Sequence, residues 1–395
     1  MQASAAASFI DSVGVVTHLS YTDTPYYTDF PQILTALQSL GVHHIRDGYY
    51  PWPASSPVVQ AHHQLAAAGI KCDYVVSYNS ATTAQAIESF APEVGDMESL
   101  EAPNECDLDG NCGVTGAIGL LNMIAFLPTI KAAADNLNVP LLGPSLTQQA
   151  SYLTAGILSS DMTVNNLHIY FDGRNPGNSG WGIGQDAKGN AYGSFAWWLD
   201  QAAIDAPGLP SLITETGYMA YTSTTTPYTL PESVEASYIP RTLLLAYNLG
   251  FQKTYLYELL DEASSPGYGL LNSDLTPKPA FTAVQNLLSV LNDRANSSFA
   301  PGSLQFSLSG GDSTLNHLLL EKQDGSFWLV LWLEQSSWNP ATDVPIAVTP
   351  EDITINLSSS YQASTDYQFD TNGNVTPFSQ SMQGNSTSLT VSDQV

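Results

Sequence analysis

Positive charge is scarce in this sequence. Its 395 residues include only 10 Lys and Arg against 37 Asp and Glu, which gives a formal net charge of −27. A surface this acidic repels phosphate backbones and anionic lipid headgroups, so we expect no nucleic acid and no membrane surface as a partner. Charged residues make up only 12% of the chain, a composition common in exported proteins. We therefore expect a secreted or periplasmic location.

Long apolar runs and the features of a leader are also missing. The sequence has no uninterrupted run of about 18 apolar residues, the length that a membrane-spanning helix requires. Its start, MQASAAASF, has neither the charged region nor the apolar core of a signal peptide. We expect no membrane span, and we expect the signal peptide of an exported protein to be absent from this sequence.

Cysteine is limited to three residues, which permit at most one disulfide. Cys106 and Cys112 bracket a short polar loop, and the exposed character of such a loop favours a bridge between them. Cys72 lies in the apolar stretch KCDYVVSY and is expected to be a buried thiol. Three reduced thiols are the alternative.

Several motifs of catalytic and cofactor sites are absent from the sequence. It contains no P-loop, no G-x-S-x-G elbow, no H-E-x-x-H helix and no C-x-x-C pair. The histidine pairs at 43–44 and 62–63 lack a third ligand in sequence, and the acidic stretch 107–111 lacks the bidentate glutamate of a calcium loop. We expect neither a cofactor nor a metal.

Short apolar runs rich in Val, Ile, Leu and Tyr alternate with helical patterns along most of the chain. The predicted strands are Ser12–Leu19, His43–Tyr50, Lys71–Tyr78, Met97–Glu105, Pro140–Leu146, Asn165–Phe171, Pro210–Tyr218 and Lys253–Leu260. Eight strand–helix pairs predict an α/β fold of the (β/α)8 TIM-barrel type. The alternative, a doubly wound open sheet, lacks its Gly-rich phosphate turn after the first strand.

After about residue 295 the pattern changes to short alternating runs separated by Gly, Asn and Asp. Asp324 and Gly325, in EKQDGSFW, mark a hairpin turn. We predict a catalytic barrel over residues 1–294 and an accessory antiparallel β-sandwich over 295–395. Residues 1–11, with a strand near Phe9–Ile10, are expected to pair with the sandwich.

Polar side chains cluster at the predicted C-terminal ends of the strands, where a (β/α)8 barrel places its reactive groups. Glu105 and Glu215 end the fourth and seventh strands. Two opposed carboxylates can straddle a glycosidic bond, one protonated to assist the leaving oxygen and one ionised to attack the anomeric carbon. For both glutamates the alternative is a structural role at a strand end. The other candidates at strand ends and in the following loops are His18, Arg46, Trp52, Asn104, His168, Tyr170, Trp181, Tyr257 and Glu258.

Three short segments resemble motifs of the clan A glycoside hydrolases, among them families 5, 30 and 39. EAPNE at 101–105 resembles their E-x-x-N-E motif, and ITETGY around Glu215 resembles the nucleophile segment of their seventh strand. HIY at 168–170 resembles their sixth-strand His-x-Tyr motif, and Arg46 matches a frequent second-strand arginine. The resemblance covers residues 12–292 and, less closely, the predicted sandwich.

This resemblance implies a role for each matched residue. Glu105 would be the general acid/base and Glu215 the nucleophile. Asn104 would bind the 2-hydroxyl of the substrate, and Tyr170 and Arg46 would keep Glu215 ionised. His168 would belong to the same site, with a buried core histidine as the alternative.

The resemblance also implies a reaction, a retaining hydrolysis of O-glycosyl compounds by double displacement without a cofactor. Pro103 and Tyr257 stand where many members have tryptophan, so the shape of the sugar site is not implied. Because cations are few, we expect a neutral, β-glucan-like carbohydrate substrate. We expect a monomer. The alternatives are a carbohydrate-binding barrel without catalysis and a transglycosylase that uses the same two glutamates.

Overall fold

The computed structural model describes residues 1–49, 51–78, 80, 83–108, 110–177, 180–181, 184–221, 228–293, 298–359, 363–381 and 385–395. Its strands are β1 (Ser4–Ala5), β2 (Val13–Val16), β3 (His44–Tyr49), β4 (Lys71–Val76), β5 (Met97–Glu101), β6 (Leu141–Leu142), β7 (Asn165–His168), β8 (Ser211–Thr216), β9 (Ala220–Tyr221), β10 (Leu230–Pro231), β11 (Thr254–Leu256), β12 (Phe306–Ser309), β13 (Leu315–Glu321), β14 (Phe327–Leu333), β15 (Trp338–Asn339), β16 (Val344–Pro345), β17 (Glu351–Leu357), β18 (Ala363–Phe369), β19 (Val375–Ser381) and β20 (Ser386–Val391). Its α-helices are α1 (Ala6–Asp11), α2 (Pro25–Thr28), α3 (Phe30–Leu40), α4 (Pro57–Ala67), α5 (Ala84–Glu88), α6 (Ala91–Val94), α7 (Gly116–Leu137), α8 (Gln149–Ala155), α9 (Phe195–Asp205), α10 (Glu232–Asn248) and α11 (Pro279–Leu291).

The central sheet has eight parallel strands in the order β6-β5-β4-β3-β2-β11-β8-β7. Its two outer strands approach each other, and a parallel bridge joins Leu142 to Val164 there. The sheet is therefore a nearly closed barrel, and the predicted (β/α)8 fold with separate antiparallel sheets is confirmed.

Strand and helix sequences explain how the barrel packs. All four residues of β2 are buried, as expected for a parallel strand covered on both faces. A side chain at Gly14 would place its Cβ 2.5 Å from the Tyr255 ring, so only glycine fits against that ring. In α3 the buried residues Ile33, Leu37 and Leu40 share one face at helical spacing.

Several strands are shorter than predicted, among them β2, β7 and β11, and two of the differences have a clear cause in the sequence. β5 ends at Glu101 rather than Glu105, because Pro103 has no N–H for a ladder bond and Glu105 has a positive φ of 43°. β6 is limited to Leu141–Leu142, because prolines precede and closely follow it.

The residues after the barrel form antiparallel sheets. β13 pairs with β14, β17 lies between β12 and β20, and β18 pairs with β19. Leu331 and Leu333 of β14 pack with Ile353 and Val391 in a separate small core. The predicted boundary between residues 294 and 295 lies outside the described residues.

The prediction of a strand near Phe9–Ile10 was wrong. Both residues lie in α1, where Ala6, Phe9 and Ile10 share one buried face at the spacing of a helix. The pairing strand is β1, which runs parallel to β13, with Ser4 opposite Leu320.

One described helix, α7, is long and apolar enough to cross a membrane by length and composition, with a mean hydropathy of 1.6 over its best window. The sequence test, which required an uninterrupted apolar run, missed it because Asn122 and Lys131 interrupt the helix. In this structure 44% of that window is buried inside the protein, and Leu120, Met123 and Leu127 belong to the barrel core. A core helix passes the same test, so α7 is weak evidence for a membrane span.

Candidate active site

One end of the barrel brings the two predicted glutamates together. Glu215 lies in β8 and pairs in register with His168 at the end of β7. Glu105 lies in a turn four residues beyond β5. One carboxylate oxygen of Glu105, one ring nitrogen of His168 and one carboxylate oxygen of Glu215 lie within 4.8 Å of one another.

Two proton donors hold the carboxylate of Glu215. Arg46 Nη1 donates to its Oε1 at 2.6 Å, and Tyr170 Oη donates to its Oε2 at 2.9 Å. Burial opposes the charge of Arg46, but the carboxylates of Glu101 and Glu215 outweigh burial and raise the pKa of Arg46 well above its usual value. Burial and the charge of Glu215 raise the pKa of Tyr170. Both groups therefore keep their protons and remain hydrogen-bond donors to Glu215.

Arg46 is itself fixed by a buried carboxylate. Its Nε and Nη2 donate to the two oxygens of Glu101 at 2.8 and 2.7 Å, the bidentate geometry that orients a guanidinium group. Nη2 also donates to Asn104 Oδ1 at 2.8 Å. Because this contact occupies the amide oxygen of Asn104, its NH2 group is the part left to donate to a ligand.

The backbone around Glu105 is constrained. A φ of 43° is uncommon for glutamate and is sustained only where the surroundings enforce it. The next residue, Cys106, forms a disulfide with Cys112, and the Glu105 N–H donates to Ser145 Oγ at 3.2 Å. These contacts fix the point from which the Glu105 side chain reaches towards His168.

His168 connects Glu105 to the barrel interior. Its Nδ1 lies 2.7 Å from Glu105 Oε1, and its Nε2 lies 3.0 Å from Thr214 Oγ1. The Thr214 hydroxyl donates to Asn166 Oδ1 at 2.6 Å, so it accepts from His168, and Nε2 carries a proton. Nδ1 and Glu105 therefore face each other with one proton to share.

Glu105 and His168 each shift the pKa of the other. Burial alone would raise the pKa of Glu105, but the hydrogen bond and charge of His168 outweigh it and lower this pKa. Burial alone would lower the pKa of His168, but the carboxylates of Glu215 and Glu105 outweigh it and raise this pKa. The shared proton is consequently held more tightly than a proton on an isolated imidazole.

Tyrosine rings surround the Glu215 carboxylate. The ring of Tyr170 lies edge-on to the rings of Tyr257 and Tyr268, at centroid distances of 6.5 and 5.9 Å. Tyr268 was not predicted as a site residue, because it lies in an irregular segment after β11 that carries no motif. Thr214 was also missed, although it directly precedes Glu215 in the ITETGY segment.

His18 and Glu258 lie next to this aromatic wall. The His18 ring stacks on Tyr21 at 4.6 Å and lies edge-on to Tyr257 at 5.9 Å. His18 Nε2 is 3.2 Å from Glu258 Oε2. The structure thus brings His18, Tyr257 and Glu258 together beside the Glu215 site.

The two predicted tryptophans have other surroundings. Trp181 is 39% exposed and packs edge-on against Trp197 and Trp198 of α9, at 5.1 and 5.6 Å. Trp52 is half-buried and packs against the barrel core. Trp181 thus lies against α9.

No protein-family model matches the chain, and no curated protein matches it. Among solved structures, it is similar to Bacteroides uniformis β-glucuronidase 2 covalently bound to cyclophellitol-6-carboxylate aziridine, with 13% identity, 93% of this chain and 45% of that chain covered, and a TM-score of 0.50.

Two further solved structures are similar over part of this chain. A GH2 β-galacturonidase from Eisenbergiella tayi bound to glycerol has 14% identity, covers 72% of this chain and 52% of that chain, and gives a TM-score of 0.49. The second is an active-site mutant of the Rhizomucor miehei β-1,3-glucanosyltransferase in complex with laminaritriose, with 13% identity. The match covers 68% of this chain and 96% of that chain, with a TM-score of 0.47. The chain spans about half the length of the glucuronidase and galacturonidase chains. At such identities the likeness shows the fold alone.

Proposed function

We propose that this protein is a retaining glycoside hydrolase that cleaves β-glycosidic bonds of a neutral oligo- or polysaccharide. The observation that carries the proposal is the approach of Glu105 and Glu215, whose nearest oxygens lie within 4.8 Å. Carboxyl groups of retaining enzymes are about 5–5.5 Å apart, whereas inverting enzymes need about 6.5–9.5 Å to admit a water. The short separation supports double displacement.

In the first step, an oxygen of Glu215 forms a bond to the anomeric carbon while the bond from that carbon to the leaving oxygen breaks. The proton shared by Glu105 and His168 passes to the leaving oxygen. Arg46 and Tyr170 donate hydrogen bonds to Glu215 and orient it. The products of this step are the released alcohol and a glycosyl ester of Glu215.

In the second step, Glu105 accepts a proton from water as the water oxygen bonds to the anomeric carbon. The ester bond breaks, and Glu215 leaves as the carboxylate that Arg46 and Tyr170 stabilise. The Asn104 NH2 group would donate to a hydroxyl of the sugar at the reacting ring, a role supported by the contact of its amide oxygen with Arg46. No group beyond these side chains is required for either step.

The pairing of nearby cations supports a neutral sugar. Arg46 binds Glu101 and Glu215, Lys278 lies 2.8 Å from Asp261, and Arg174 lies 3.8 Å from Asp172. Each of these cations already faces a carboxylate, which disfavours a uronic acid as ligand. A secreted or periplasmic location remains part of the proposal, supported by the disulfide after Glu105.

Azide rescue of two alanine variants tests the proposed roles. Glu215→Ala and Glu105→Ala should both lose hydrolysis of aryl β-glycosides while remaining folded. With Glu215 removed, azide takes its place and gives the α-glycosyl azide. With Glu105 removed, azide attacks the glycosyl ester of Glu215 and gives the β-glycosyl azide.

The exposed Glu93 offers a matched control, and Glu93→Gln should retain wild-type rates. Full activity of either alanine variant would reject the assignment. So would the same azide anomer from both variants, or wild-type hydrolysis with inversion of the anomeric centre by NMR.

A further inference from the structure

A second group of ligand-type side chains lies at the mouth of the barrel beside Tyr257. His18 follows β2, while Glu258 and Glu262 follow β11, the neighbouring strand. One ligand atom from each of the three lies within 4.8 Å of the others. No step of the proposed hydrolysis uses Glu262.

Each carboxylate in this trio accepts a hydrogen bond from a serine hydroxyl through one of its two oxygens. The Ser265 hydroxyl donates to Glu258 Oε1, and the Ser264 hydroxyl donates to Glu262 Oε2 at 3.1 Å. The remaining oxygens are Glu258 Oε2, 3.2 Å from His18 Nε2, and Glu262 Oε1. Such outer hydrogen bonds are the usual means of orienting metal ligands.

The surroundings of Glu262 Oε1 are the observation that supports a bound ligand. Glu262 is 6% exposed, and this oxygen is fully buried without a hydrogen-bond partner among the described residues. Glu258 is 0% exposed. A buried carboxylate oxygen without a partner is strongly unfavourable, so an additional cation would stabilise the arrangement.

Nearby groups do not supply that cation. The ammonium group of Lys278 lies against Asp261. Asp47, which is also near, is a carboxylate that accepts from the Thr17 hydroxyl and the Leu19 N–H, so it supplies no positive charge. Among the described residues, the imidazole of His18 is the one basic group within ion-pair distance of Glu258, and it serves two carboxylates.

We propose that His18, Glu258 and Glu262 bind a divalent transition-metal cation, with Zn²⁺ as the best-fitting ion. The 3.2 Å between His18 Nε2 and Glu258 Oε2 is close to the roughly 3.4 Å that separates two ligands at tetrahedral angles around Zn²⁺. One imidazole and two carboxylates suit Zn²⁺ better than Ca²⁺, which takes six to eight oxygen ligands. Three protein ligands leave a position open at the sugar site.

Titration of the metal-stripped protein with ZnCl2 tests this site directly and does not depend on glycosidase activity. Isothermal titration calorimetry should give one equivalent of bound Zn²⁺ in the wild type. Glu262→Gln and His18→Gln should abolish this stoichiometric binding, and Ser264→Ala should weaken it about 10- to 100-fold. Circular dichroism of the metal-free variants verifies that they remain folded.

Glu105→Gln is the matched control, because Glu105, His168 and Glu215 form another trio with ligand atoms in reach of one another. This variant should still bind one equivalent. Retention of stoichiometric binding in Glu262→Gln would overturn the proposal, whatever the result for Glu105→Gln, as would no stoichiometric binding by the wild type. Replacing Zn²⁺ with Co²⁺ should give the visible absorption of a four-coordinate ion in the wild type and not in Glu262→Gln.

Discussion

At the scale of single residues, the proton between Glu105 and His168 sets the pH range of the site. Two groups that share a proton release it with a pKa no lower than that of the stronger base. Burial lowers the pKa of His168, but Glu215 and Glu105 outweigh burial and raise it. The basic limb of kcat/KM should therefore lie above the usual histidine pKa of about 6.5.

His168→Asn should move this basic limb to lower pH. In the variant the acid is Glu105 alone, and a carboxyl group loses its proton at lower pH than the shared pair does. The measurement is kcat/KM against pH with an aryl β-glycoside, and the maximal rate should also fall. A basic limb that stays in place or moves to higher pH would contradict the shared-proton account.

Thr214 provides a control for the same measurement. Thr214→Ser keeps the hydroxyl that accepts from His168 Nε2 and should preserve the basic limb. Thr214→Val removes it and leaves Nε2–H without its acceptor inside the barrel. This variant should lower kcat, because the imidazole is no longer fixed in the form whose Nδ1 faces Glu105.

At the scale of single elements, the turn that carries Glu105 depends on the neighbouring disulfide. The Cys106–Cys112 bridge closes a loop with a sequence separation of 6, for which loop-closure entropy gives a stabilisation of about 2 kcal/mol. Cys106→Ser/Cys112→Ser should lose this stability in urea unfolding. It should also lower kcat, because Glu105 has a positive φ that the turn must enforce.

The effect of a reductant on stability separates the loss of the disulfide from other effects of the two serine substitutions. Dithiothreitol should destabilise the wild type and leave the double-serine variant unchanged. Equal sensitivity of both proteins would show that the bridge does not stabilise the turn.

The last residue of α9, Asp205, should make stability depend on pH. The backbone N–H groups around Asp205 lower its pKa, but burial outweighs them and raises it to about 7. The unfolded chain ionises this group near pH 3.9, so the folded state retains a proton that the unfolded state releases, and stability falls as pH rises to about 7.

Asp205→Asn should remove this dependence. From pH 5 to pH 8 the titration of Asp205 should lower the free energy of unfolding by about 3 kcal/mol. The free energy of unfolding of the variant in urea should therefore change less over that interval than that of the wild type. Parallel curves for the two proteins would show that Asp205 titrates normally in the folded state.

The elements differ in how far the sequence predicts them. Apolar strands such as β4 and β8 are visible locally because both faces of a barrel strand are buried. The helix α1 was misread as a strand because six residues give little periodicity. The Arg46–Glu101–Glu215 network could be anticipated only in part, because the motif places the residues at strand ends while the hydrogen bonds depend on the closed barrel. The trio of His18, Glu258 and Glu262 has no sequence spacing that would reveal it.

At the scale of the whole molecule, the antiparallel sheets are joined to the barrel through buried polar contacts. Arg241 of α10 is completely buried and forms a bidentate ion pair with Glu334, which follows β14. Trp332 Nε1 and Asn175 Nδ2 donate to the same carboxylate at 3.0 Å each. Two of these donors, Arg241 and Asn175, come from parts of the chain far from Glu334.

Removing one partner of this pair should destabilise the protein more than removing both. Arg241→Met leaves the buried Glu334 carboxylate without its counter-charge, a change that typically costs about 3–5 kcal/mol. Arg241→Met/Glu334→Leu removes both charges and should recover part of that loss, because packed apolar side chains replace a desolvated pair. Urea unfolding of the two single variants and the double variant measures the interaction energy. Additive losses would show that Arg241 and Glu334 are not coupled energetically, whereas recovery in the double variant would show that each single loss comes mainly from leaving the buried partner without its counter-charge.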